Sequence, residues 1–255
     1  MYTCTGDYGR RSRSSHRAIL RRAARTYRDQ DGLPWLEIAP PLITMLAENP
    51  RLPYPLSWDE QDRIFQRLPA HLSRMVLFAV NTGLRDSNVC ALRWSWEMPI
   101  AHLGRILFAI PREAFKSRRP HVVILNDAAW SIVESQRGGH PDWVFAYRGK
   151  AVRSMNNTAW QRARRQAGLP GVRVHDLRHT LGARLRAAGV HEEDRAALLG
   201  HACATMPGHY ASADVRRLIS LANRVLDRTE TTTILRVANG CVSSPKARCG
   251  LSLCG

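Results

Sequence analysis

His175-Asp176-Leu177-Arg178-His179 is the most informative segment of this 255-residue chain. It opens a helix predicted over 176–188, and at helical spacing His175 and Arg178 share one face while His179 points elsewhere. Downstream, Leu198-Leu199-Gly200-His201 closes a second, apolar helix predicted over 192–199, and Tyr210 follows nine residues past that histidine. Upstream, Thr82-Gly83-Leu84-Arg85 ends an apolar helix predicted over 71–82, with Gly83 as its C-cap. Two arginines and two histidines are therefore set at helix ends, and a tyrosine follows the last of them.

The composition says what such a set is for. The chain has 38 basic residues against 21 acidic ones, a net charge of +17, and 44% of its residues are hydrophobic. The apolar content suffices for a packed core. The charge excess implies a polyanionic partner, because each cation placed on a phosphate releases condensed counterions. Only Lys116, Lys150 and Lys246 of the basic residues are lysines. The six cysteines (4, 90, 203, 241, 249, 254) lack the paired spacing of a metal site, and Cys90 lies in an apolar stretch that predicts burial. The arginine-rich N-terminus has no apolar signal core, and the longest apolar run, Met75 to Val80, is too short to span a bilayer. A soluble, reducing, cytoplasmic setting without a membrane is expected.

Organisation follows from charge and proline. Residues 1–30 carry eight arginines, with Ile19, Leu20, Ala23, Ala24 and Tyr27 at helical spacing, which predicts a short basic amphipathic helix. Residues 34–55 hold six prolines and leave room for one short helix around Leu42 to Glu48, so this stretch reads as a linker. The compact domain is expected from Ser57, whose S-x-x-E capping box with Glu60 starts a helix presenting Ile64, Phe65 and Leu68 on one face. Arg105 to Ile110 and His121 to Leu125 predict a β-hairpin with Lys116 near its bend. Further helices are expected at 127–136, 154–167 and 214–227, and a short strand at 143–147. From Thr229 onward the chain lacks periodicity and reads as a loose tail. The expected fold is mainly α with a small antiparallel β-sheet or hairpin, organised as 1–56, 57–228 and 229–255.

The chemistry of these residues suits a phosphodiester. Breaking one without metal requires cations on the non-bridging oxygens, an in-line nucleophile and a proton for the leaving oxygen. The planar guanidinium forks of Arg85 and Arg178 suit the first task. A histidine titrating near neutrality suits proton transfer, and the Tyr210 phenol is a candidate nucleophile once cations favour its phenolate. No carboxylate cluster accompanies the histidines, so neither a metal nor another cofactor is expected. Asp86 and Asp176 adjoin the arginines, and either pairing or helix capping would account for them.

The full set, in order, resembles the tyrosine recombinases, the phage-integrase family. Thr82-Gly83-Leu84-Arg85 with the following Leu92-Arg93-Trp94 resembles the family's first arginine box; His175-x-x-Arg178 resembles its second, and Leu199-Gly200-His201 with Tyr210 completes the order. The resemblance implies the tyrosine-recombinase catalytic-domain fold. It implies catalytic roles for six residues: Arg85 and Arg178 on the phosphate, His175 in proton transfer, His201 on the phosphate or the phenol, Tyr210 as nucleophile, and Lys116 as the acid for the 5′ oxygen. Arg118 and Arg119 would grip backbone phosphates. It implies a site-specific recombinase or integrase acting on double-stranded DNA through a 3′-phosphotyrosyl intermediate, as a homo-tetramer on paired sites, encoded by a bacterium, a phage or another mobile element and associated with the nucleoid. Residues 1–56 would be a remnant of the family's core-binding domain. Two other readings stay open at this level: a catalytically inert DNA-binding remnant, and a type IB topoisomerase-like enzyme with the same chemistry on single sites.

Overall fold

The computed structural model describes residues 16–36, 38, 51–115, 120–201 and 214–228. The chain divides into two compact units after Arg51. In the first, helix α1 runs over 16–25 and ends in a turn held by Asp29, whose Oδ1 accepts from the N–H groups of Asp31 and Leu33. The Trp35 indole donates to the Arg28 carbonyl and lies 5.1 Å from the Tyr27 ring. The helix is where its periodicity puts it, yet Ile19 on its apolar stripe is 60% exposed. The short helix expected around Leu42 to Glu48 lies outside the described residues.

The second unit starts five residues ahead of the Ser57 cap. Within it, the Tyr54 N–H donates to Asp176 Oδ1 and the Leu56 N–H donates to Thr180 Oγ1. Helix α2 (Trp58–Phe65) has the capping box in full, Ser57 Oγ accepting from Glu60 N–H and Glu60 accepting from Ser57 N–H. Helix α3 (Ala70–Thr82) is buried along most of its length and packs against α5 (Asp127–Glu134) and α7 (Val174–Ala187). Between α3 and the sheet stands the short α4 (Asp86–Cys90).

Three antiparallel strands follow in the order β1 (Glu97–Ile100), β2 (Arg105–Ile110), β3 (His121–Val123). The register pairs Phe108 with Val123 and Ile110 with His121. The expected hairpin is β2–β3; β1 was not expected because Pro99 interrupts its pattern. A proline is tolerated there since β1 is an edge strand. A second, two-stranded sheet pairs β4 (Ala146–Tyr147) with β5 (Lys150–Ala151) around Arg148 and Gly149, both at positive φ. The strand expected from Trp143 is shorter because Trp143 forms only an isolated bridge to Arg93.

The remaining helices are α6 (Thr158–Gln166), α8 (Glu192–Leu199) and α9 (Val215–Asn223). Helix α6 starts four residues later than its periodicity suggests, because Asn157 caps it by accepting from Trp160 N–H at 3.1 Å. Helix α7 starts earlier, because Asp176 accepts from Arg173 N–H at 2.8 Å and so closes its first turn.

Two apolar clusters meet at α7. Leu177 joins the main core, with Phe78, Phe108, Met155 and Trp160; Leu181 and Leu185 join a second, with Leu198, Leu199 and Leu218. Each fully buried leucine contributes about 1.5–3 kcal/mol of hydrophobic stabilisation. The helix carrying the His-x-x-Arg pair is thus fixed from both sides, which suits a residue whose position has to be held. Among the described residues no helix is long and apolar enough to cross a membrane.

Candidate active site

Two glycines set the geometry. Gly83 ends α3 in the left-handed region (φ 66°), and a Cβ there would stand 2.5 Å from a Leu199 methyl and 3.0 Å from a Leu181 methyl. Only glycine lets the end of α3 lie against α7 and α8 in this way. The Gly83 carbonyl then accepts from Arg178 Nη1 at 2.7 Å. Gly200 ends α8 at φ 64°, and His201 turns back so that its N–H donates to the Ala196 carbonyl at 2.9 Å, a Schellman-type close.

Around these ends four of the six expected site residues are described, and they lie together. Arg85 is the N-cap of α4, half-buried, with its guanidinium carbon 5.3 Å from the centre of the Phe115 ring. Arg178 is buried in α7 at 5% exposure. His175, on the turn before it, and His201 are both exposed. His179 does not point away as expected: its ring meets His175 edge-on at 4.8 Å, because residues four apart are helix-face neighbours. Lys116 and Tyr210 lie outside the described residues, as do Arg118 and Arg119.

The electrostatics of this cluster are set by burial and by like charge. Burial, and then Arg85, pushes the Arg178 guanidinium down to about 10. Burial also lowers the imidazoles of His175, His179 and His201; for His201 the next causes are Arg178 and Arg85. Among the described residues neither arginine forms an ion pair, and Arg85 Nη1 and Arg178 Nη2 are buried with no hydrogen-bond acceptor. Leaving charged donors in this state is costly unless something fills their need. An anion with several oxygen lone pairs would do so, and it would raise every one of these depressed values.

The two neighbouring carboxylates cap and tie rather than pair with the arginines of the cluster. Asp86 accepts from Ser154 Oγ at 2.6 Å and from Met155 N–H at 2.8 Å, and so fastens the turn before α6 to α4. Asp176, fully buried, holds the start of α7 and the Tyr54 amide. With both carboxylates so engaged, the positive charge of the cluster is left for a ligand. Among the described residues no three of His, Cys, Asp and Glu come together as a metal-holding group.

Two residues of this neighbourhood escaped the sequence reading. Asn88, one turn after Arg85 and 2% exposed, donates from Nδ2 to the Ala114 carbonyl at 2.9 Å, so α4 holds the chain just before Phe115. His121, the first residue of β3, is 6% exposed, and its ring centre is 4.8 Å from that of Phe115. Burial, then Arg178, Arg85 and His201, pushes its imidazole down to about 4. One signal was available. In the alternating strand His121-Val122-Val123 the inward positions are 121 and 123, and a histidine at an inward position is a buried polar group needing a reason.

The family model described as the phage integrase family matches residues 57–217. The integrase of Salmonella phage P22 is 34% identical over 187 residues, covering 68% of this chain and 46% of that protein. The chain thus spans about half the length of this curated relative. Among solved structures, the integrase from mycobacterium phage Brujita superposes with a TM-score of 0.55 at 17% identity, over 95% of this chain and 79% of that one. A lambda integrase dimer bound to a COC′ core site gives a TM-score of 0.55 at 19% identity, over 89% of this chain and 62% of that one. These likenesses show the tyrosine-recombinase catalytic-domain fold, mainly helical with small antiparallel sheets. The family match spans more than half of the chain, from the α2 cap through both arginines and His201 into α9, and the protein belongs to the phage integrase family.

Proposed function

We propose that this protein is a site-specific DNA recombinase that cleaves and rejoins strands through Tyr210. The observation that carries the reading is the pair Arg85 and Arg178, brought together with buried N–H donors lacking acceptors and no carboxylate paired to either among the described residues. Two preorganised guanidinium forks would hold the non-bridging oxygens of a scissile phosphate and stabilise the pentavalent transition state.

The Tyr210 oxygen attacks phosphorus, its proton passing to His175. The bond from phosphorus to the 5′ oxygen breaks, and Lys116 supplies the proton that makes the leaving group a 5′-hydroxyl. His201 donates to the phosphate or steadies the attacking phenol. The phosphotyrosyl bond conserves the energy of the one broken, so a second 5′-hydroxyl can reverse the reaction on a new partner without ATP. No step calls for a metal or another cofactor. The partner is double-stranded DNA, in keeping with the net charge of +17. Exchange between two duplexes breaks four strands with one tyrosine each, which sets a homo-tetramer on paired sites as the working assembly. The setting is the DNA-containing cytoplasm, with the protein associated with the nucleoid, and residues 1–56 stand where the family carries its core-binding domain.

Covalent trapping tests the reading. The full chain is incubated with nicked or 5′-bridging phosphorothiolate DNA carrying the flanks of its own genomic locus. The expected product is an SDS-resistant complex with a 3′-linkage mapped to Tyr210. Salt-sensitive DNA binding without any such complex would sink the proposal.

A further inference from the structure

Packing alone does not account for His121. At an inward strand position next to Val123, an apolar side chain would fill the space without leaving a polar atom dry. Instead the ring lies between Phe115 and Gly200. It is so close to Gly200 that a Cβ on that residue would meet His121 Nδ1 at 2.7 Å. The left-handed turn that displays His201 is therefore also where this ring is accommodated. Gly200 and His121 are fitted to each other, and the imidazole is locked.

A locked ring presents a fixed edge. His121 Nε2 is buried and has no hydrogen-bond partner among the described residues, the same condition as Arg85 Nη1 and Arg178 Nη2. A buried nitrogen in that state is costly, so three in one neighbourhood share a cause or are three separate defects. The Phe115 ring links two of them, with the Arg85 guanidinium over it and the His121 ring against it. The Gly83 carbonyl secures the third, Arg178. Burial, and then the nearby cations, keep the imidazole neutral, and its Nε2–H tautomer is a donor that needs an acceptor.

The geometry points to His121 as a further phosphate-holding residue, giving its Nε2–H to the same anion that Arg85 and Arg178 grip. This rests on the strand-cleavage reading for the identity of the anion as a phosphodiester, but the site itself would bind free phosphate too. The role differs from those of His175 and His201. Those imidazoles are exposed and free to move protons, whereas His121 is buried and neutral, a fixed donor of the oxyanion-hole kind.

The test uses the full chain labelled with ¹⁵N-histidine and inorganic phosphate as the probe. The expected result is a saturable shift of the His121 ring nitrogens that disappears in Arg178→Ala. In His121→Leu the phosphate dissociation constant should rise about tenfold or more, as for a lost hydrogen bond to a charged group. His121→Gln, whose amide nitrogen can reach the Nε2 position, should retain most of the affinity. Covalent trapping on nicked DNA should slow in His121→Leu while DNA affinity is kept. A wild-type His121 signal indifferent to phosphate overturns the inference, as does a His121→Leu protein that binds phosphate as wild type does. Equal losses in the Leu and Gln variants, tracking a fall in melting temperature, would make His121 a packing residue only. A phosphate response in a wild-type protein that never forms a covalent DNA complex would leave this site standing and remove the strand-cleavage reading.

Discussion

Arg178 and Arg137 are the same residue treated in opposite ways. Arg137, after α5, is gripped by Glu97 at 2.7 and 3.1 Å and by Glu134 at 2.8 Å, with the Trp94 ring 5.0 Å away. The hydrogen bonds to Glu97 and then Glu134 raise its guanidinium above the ordinary arginine value. Arg178 is more deeply buried, faces Arg85 instead of a carboxylate, and is lowered to about 10. One region spends its arginine on joining the edge strand to α5. The other holds its arginine at a cost in stability, which fits the proposed role in holding a phosphate. Charge count alone does not distinguish the two; the company each guanidinium keeps does.

The largest effect should come from removing the proposed nucleophile and leaving the cations. Tyr210→Phe is expected to abolish covalent attachment in the trapping assay, with DNA binding unchanged in a gel-shift titration. Attachment that survives would move the chemistry to another residue and break the contrast between a reactive and a structural region.

Replacing each arginine in turn sharpens it. Arg178→Met should slow strand cleavage by about 100- to 1,000-fold, the usual loss on removing one preorganised donor. DNA affinity should change little, since one phosphate contact among many is lost. Its stability in urea should stay within about 1 kcal/mol of wild type or exceed it, because an uncompensated buried charge leaves with the side chain. A matched collapse of binding, cleavage and stability would make Arg178 a structural residue like Arg137.

Acid should act on the site region first. The folded-state value of His121 is about 4 against an ordinary 6.5, so between these the unfolded chain binds more protons than the folded one. Stability is therefore full above about pH 6.5 and falls as pH drops toward 4, by at most about 3 kcal/mol. His121→Leu should flatten that part of the curve in urea melts at stepped pH. An unchanged slope would place the acid sensitivity elsewhere. Bound phosphate, by raising the folded-state value of His121 toward the ordinary one, should shrink that loss.

The smallest effect should be that of Arg137→Ala, a stability loss under about 1 kcal/mol because the pair is partly exposed, with cleavage at the wild-type rate. A slowed cleavage there would mean that the sheet edge couples to the site.

Much of the framework around the candidate site was legible in the sequence. Helix ends announce themselves through local chemistry, so Ser57 with Glu60, the Gly83 stop and the Gly200 stop were readable, and with them Arg85, Arg178 and His201. The residues that were not legible, Asn88 and His121, act through partners 26 and 79 positions away, Ala114 and Gly200. Edge strand β1 was hidden for a related reason: its proline argues against a strand until the neighbouring β2 supplies the pairing.

The sequence by itself determined the helix ends that carry the candidate residues and the side-chain chemistry at them, because those are properties of side chains and of turns a few residues long. The tertiary structure alone decided which cations were left without a counter-ion, which carboxylates were occupied elsewhere, and which histidine was buried among them. Those outcomes depend on how α3, α7, α8 and β3 pack. Burial and the company of charges are set by distance in space, which spacing along the chain does not encode.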